Sequence, residues 1–263
     1  MAEAITDRHV IAVLRPFVRA ARPVLDALRE ADPFGLRQRV RAGLEGSGDD
    51  DERGLRERVL DQLAATRVPG TAAWAAMDAE QRTHWWIHRV GRFTTLVVAV
   101  PGIGGVLADR LPVQAALGAA GQGLLLMAIA GEHGVRDEDT LVALLGAVLF
   151  KRDLTVSAPD PVSEAEAAAK AEQLSGDLAG EHTPALRKIG GAMWRLGRTL
   201  YALGDELDKR PHGRFYHQAV GMVPVIGLVG EYFGERSGLK RAAKAALNWL
   251  RQNPLAGTAR GGG

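Results

Sequence analysis

Apolar residues recur at spacings of three and four along almost the whole chain, and no stretch sustains the strict alternation of a strand. The pattern predicts an all-α protein, a multi-helix bundle without β-sheet. Near the start, Val10, Ile11, Leu14, Phe17, Val18, Ala21, Leu25 and Leu28 line one helical face, and Pro16 and Pro23 predict that it is kinked or split, into short helices. A further helix is expected at 55–66. Asp78, with Gln81 three residues on, has the spacing of a capping box and predicts the start of a long helix carrying Trp85 and Trp86. Asp137 predicts the cap of a helix over 140–150. An Ala/Glu-rich helix is expected over 163–174, and Pro184 opens another that ends near Arg210 and Pro211.

Two apolar segments break this regular picture. The helix after Asp78 turns apolar from Phe93 to Val100, then meets V-P-x-I-G-x-V at 100–106; the same pattern returns at 223–229. Pro101, Gly102 and Gly104 in the first copy, and Pro224 and Gly227 in the second, predict matched breaks in apolar helical hairpins. The stretch from Leu111 to Gly131 holds 21 residues without a charge. About 20 such residues cross a bilayer, so three placements stay open: a buried core hairpin, a shallow or re-entrant insertion, and a spanning helix. Small residues in rows, Ala115/Ala119/Gly123, Gly190/Gly197/Gly204 and Gly230/Gly234/Gly238, predict close approach of helix backbones in either medium.

The run Gly46-Ser47-Gly48 followed by Asp49 to Glu52 reads as a solvated linker. The expected organisation is an amphipathic arm at 1–45, a linker at 46–54, a helical domain at 55–253 and a tail at 254–263. The net charge of +2 conceals an asymmetry: the balance is +2 over 1–48, −8 over 49–182 and +8 over 183–263. The basic C-terminal third therefore either meets an anionic surface or docks on the acidic middle. On a helical wheel Lys240, Arg241, Lys244, Asn248 and Arg251 fall within about a quarter turn, opposite Leu239, Ala242, Ala243, Ala246, Leu247, Trp249 and Leu250. Such a basic amphipathic helix suits adsorption to anionic lipid headgroups, or equally a last helix packed on the bundle with its basic face in solvent.

Catalytic signatures are lacking. With no cysteine there is no thiolate chemistry and no disulfide, and the arginine-interleaved N-terminus has no signal-type apolar core, so a cytoplasmic setting is expected. Glu80, His84 and His88 share one helical face at a spacing that zinc sites use, but the order is not H-E-x-x-H and tryptophans flank the histidines. A polar stripe on an interface-seeking helix accounts for them, and no metal or cofactor is expected. His212 and His217 belong to an interhelical connection. Gly102, Gly104 and Gly105 lack the Lys-Ser/Thr of a phosphate loop, and Ser157, Ser163 and Ser237 sit in no nucleophile elbow.

The block V-P-G-I-G-G-V-L-A-D ending at Asp109, the segment E-H-G-V-R-D-E-D at 132–139 followed by L-V-A-L-L-G, and the late V-P-V-I-G-L-V-G before a basic terminal helix together resemble the EcsC family over roughly 93–250. The resemblance implies a bacterial, mostly helical, membrane-associated protein. That family is named for a member encoded beside an ABC transporter and linked to secretion, and it brings no established catalytic residues. The expected function is a non-catalytic membrane-associated protein on the cytoplasmic face, peripheral or shallowly inserted. It would modulate an assembly such as a transporter, with an anionic membrane and a membrane protein complex as partners and no nucleic acid. Its membrane-contact candidates are Trp85, Trp86, Phe93, Lys240, Lys244, Trp249 and Arg251. The alternative is a soluble helical bundle that binds a lipid or another apolar ligand, or serves as a protein-interaction module.

Overall fold

The computed structural model describes residues 5–30, 72–98, 113–178, 186–208 and 234–253. Among them are eight α-helices and no strand: α1 (Asp7–Glu30), α2 (Ala72–Ala75), α3 (Ala79–Val98), α4 (Val113–Glu132), α5 (Glu138–Phe150), α6 (Pro161–Ser175), α7 (Leu186–Asp208) and α8 (Gly234–Gln252). The all-α expectation holds. The predicted helix at 55–66, the linker, the tail and both V-P-x-I-G-x-V segments, with Pro101, Gly102, Gly104, Pro224 and Gly227, lie outside the described residues.

Helix α4 is the centre of the fold. Apolar on every side, it has no solvent face to offer, and Ala116, Leu117, Ala119, Ala120 and every residue from Leu124 to Ala130 are buried. α7, α3 and α8 pack most extensively around it, with α5 and α1 completing the enclosure. It is the one described helix long and apolar enough to cross a membrane, yet 78% of its apolar window, Ala115–Glu132, is buried inside the protein. Two glycines of the predicted small-residue rows lie at close approaches between helices. A Cβ at Gly197 of α7 would run into the Ala116 carbonyl of α4, and one at Gly123 would lie 2.6 Å from the Phe17 ring of α1. Only glycine allows these approaches.

Helix α1 corrects two expectations. It is one continuous helix of 24 residues with Pro16 and Pro23 inside it, where the prolines had predicted short pieces. A proline inside a helix costs about 3 kcal/mol, and burial of Val10, Leu14, Phe17, Val18, Val24 and Leu28 offsets that cost, at about 1.5–3 kcal/mol for each fully buried large side chain. Nor is α1 a separate arm: its apolar face belongs to the same core as α4, α5 and α7, and it also packs on α6. Its segment and the predicted helical domain share one interior.

The caps follow local chemistry. Gln81 N–H donates to Asp78 Oδ1 at 2.7 Å while Asp78 N–H donates to Gln81 Oε1 at 3.3 Å, the reciprocal box that the spacing predicted. Asp137 caps α5 by accepting from Thr140 N–H at 2.9 Å, and Asp160 caps α6 through Val162 and Ser163. Helix α5 ends on Lys151, a non-glycine residue with φ 55° in the left-handed region.

Candidate functional site

The candidate surface is the outer face of α8. Gly238, Leu239, Ala242, Ala243 and Ala246 are buried, so the small apolar face seats the helix on α4, α3 and α5. The opposite face is forced outward, and Lys240, Arg241, Lys244, Asn248 and Arg251 are exposed. Among the described residues Arg251 bonds within its own helix, to the Asn248 side chain and the Leu247 carbonyl. Among the described residues, Lys240, Arg241, Lys244 and Arg251 have no carboxylate partner. Trp249, on the apolar side near the end of the helix, is half-buried against the core.

The acidic middle is neutralised from another direction. Arg15 of α1, only 5% exposed, donates to Glu138 Oε1 at 2.9 Å and to the Ser157 carbonyl at 2.9 Å, and its Nη1 lies 2.8 Å from Asp139 Oδ1. One turn on, Arg19 donates to both Glu138 oxygens, at 2.7 and 2.8 Å, and to both Glu164 oxygens, each at 2.7 Å. Burial pushes the Glu138 carboxyl up, but its hydrogen bonds from Arg19 and Arg15 outweigh that and hold it below the ordinary carboxylate range. The Glu164 carboxyl is lowered by its hydrogen bonds from Arg19, and the Arg19 guanidinium is raised by the same contacts. Of the two readings of the charge asymmetry, α8 does lie on the acidic middle, but through its apolar face, while the arginines of α1 occupy the Glu138, Asp139 and Glu164 carboxylates.

A second polar knot sits below the tryptophans. Glu132, whose side chain is 9% exposed, accepts from Trp86 Nε1 at 3.1 Å and from Arg82 at 3.4 Å, with Arg29 at 3.7 Å. Trp86 and Phe93 are fully buried. This corrects their expected role as membrane contacts: in this fold they have no surface to present. Trp85 is half-buried, edge-on to Trp74 and Trp86, with the Arg89 guanidinium 5.3 Å above its ring. Of the seven candidates, Lys240, Lys244 and Arg251 are exposed, and Trp85 and Trp249 are partly so.

The proposed stripe on α3 is also present. Glu80 and His84 are exposed and His88 half-buried, but no group of three or more His, Cys, Asp or Glu among the described residues could close on a metal ion, so Glu80 does not join the two histidines. The network on α1 was missed from sequence. Its signal was the spacing of Arg15, Arg19 and Arg22, which puts three cations on one helical face, but partners 114 to 145 residues away cannot be read from spacing.

No family model, curated protein or solved structure matches the chain. None of these comparisons bears on the expected EcsC resemblance. One of its blocks, Glu132–Asp139, supplies the carboxylates of Glu132, Glu138 and Asp139 to the two knots just described.

Proposed function

We propose that this chain is a non-catalytic, membrane-peripheral helical protein that binds anionic lipid through the basic face of α8. The observation that carries the reading is a contrast within one molecule. Arg15, Arg19 and Arg29 all find carboxylates, whereas Lys240, Arg241, Lys244 and Arg251 face solvent with none among the described residues. Four unneutralised cations on one face form an electrostatic footprint, and each contributes on the order of 1 kcal/mol near an anionic bilayer. The apolar side of α8 is spent on α4, and α4 is itself enclosed, which favours attachment to the surface over insertion. Trp249 and Trp85 offer partly exposed indoles of the kind that settle at a headgroup boundary. The EcsC resemblance adds a role beside a membrane assembly such as a transporter, on the cytoplasmic face.

The test is co-sedimentation with anionic and with neutral vesicles at two salt concentrations, alongside circular dichroism. The wild-type chain is expected to bind anionic vesicles, less so at high salt. Combined Lys240→Glu, Lys244→Glu and Arg251→Glu replacement is expected to lower that binding about a hundredfold or more while helicity stays unchanged. Undiminished binding by the folded triple variant would overturn the reading.

A further inference from the structure

We infer that His84 and His88 form a two-imidazole site for a late first-row divalent cation on the exposed face of α3. The spacing of four places the rings one above the other on a helix, and their centroids lie 4.3 Å apart. His84 is exposed and His88 is half-buried, so the pair lies at the protein surface.

The hydrogen bonding of His88 is the second, independent observation. Its Nδ1 lies 2.9 Å from the His84 carbonyl oxygen, an acceptor, so Nδ1 carries the proton and donates. In the neutral ring the other nitrogen, Nε2, is then the one with the free lone pair. This is the arrangement in which metal-ligating histidines are held: one ring nitrogen donates to a backbone carbonyl, which fixes the tautomer and aims the other at the ion. An imidazole pair suits Zn²⁺, Ni²⁺ or Cu²⁺ rather than Mg²⁺ or Ca²⁺, which take oxygen ligands. Glu80 stands outside the cluster, so water fills the remaining coordination positions, and such an open site serves binding or exchange of the ion rather than a sealed structural role.

Because the ion would tie together two residues of one helix turn, its binding should stabilise the folded chain by mass action. The experiment is calorimetric titration of the full chain with Ni²⁺ and with Zn²⁺ in a non-chelating buffer, paired with thermal unfolding in the presence and absence of each ion. Saturable binding and a raised Tm are expected for the wild type. His84→Ala and His88→Ala should each lower the affinity about tenfold or more and remove the Tm increase. Both positions reach the surface, so the variants should fold, which circular dichroism verifies. His133→Ala, at an exposed histidine beyond the end of α4, should behave as wild type. Absence of saturable binding by the wild type would overturn the site, as would wild-type affinity in either single variant or loss of binding in the His133→Ala protein.

Discussion

Arg15 on α1 and Glu138 in the first turn of α5 are 123 residues apart in sequence and 2.9 Å apart in space, with Arg15 buried and Glu138 largely so. This contact, doubled by Arg19, clasps the first helix to the body. It also fixes which replacements should matter.

Glu138→Ala leaves the buried Arg15 guanidinium with Asp139 and a backbone carbonyl alone. We expect a loss of about 1–3 kcal/mol in chemical denaturation, since charge-assisted hydrogen bonds to Arg15 and Arg19 are lost while Asp139 still faces Arg15. Asp7→Ala, which removes the exposed partner of Arg152, should cost no more than about 0.5 kcal/mol.

The same carboxylates set the response to acid. Glu138, Glu164, Asp137 and Asp160 all titrate below their ordinary values in the folded state, so their contribution is complete above the unfolded carboxylate range and is lost as pH falls through the lowered folded values. Stability should therefore be flat near neutrality and decline below about pH 5. Glu138→Gln should start lower at neutral pH and decline less, a difference that urea midpoints measured across the pH series will reveal.

Two glycines should give opposite results. A Cβ at Gly197 meets the Ala116 carbonyl, so Gly197→Ala should force α4 and α7 apart and cost about 1–3 kcal/mol or more. At Gly118 a Cβ meets nothing within 4 Å, so Gly118→Ala should stabilise α4 by about 0.5–1 kcal/mol. Thermal unfolding of the pair decides both.

Lys151 ends α5 in the left-handed region, where a side chain is strained and glycine is not. Lys151→Gly should stabilise the protein by about 0.5–1 kcal/mol without altering its helix content. A neutral or negative change in Tm would show that the turn tolerates lysine at no cost.

Much of this protein could be read directly from its sequence. The helical class followed from apolar spacing, the Asp78 and Asp137 caps from local hydrogen-bond chemistry, and the capacity for close helix approach from small residues at Gly123 and Gly197, because each depends on residues a turn or a few turns apart. The amphipathic character of α8 was equally legible, since its two faces are set by a period of 100° per residue. Which side of a boundary an apolar residue occupies was not. Trp86 and Phe93 read as interface residues until tertiary packing buried them, and the stretch holding α4 left a buried core, a shallow insertion and a spanning helix open, whereas in the fold its neighbours bury most of it. Pro16 and Pro23 broke α1 on paper because the local cost is visible in sequence, whereas the burial that outweighs it comes from helices more than a hundred residues away. The pairing of Arg15 and Arg19 with Glu138 was decided by the same tertiary packing. Charge counts fix how many cations a chain carries, but only the folded arrangement determines which of them, on α8, are left facing outward.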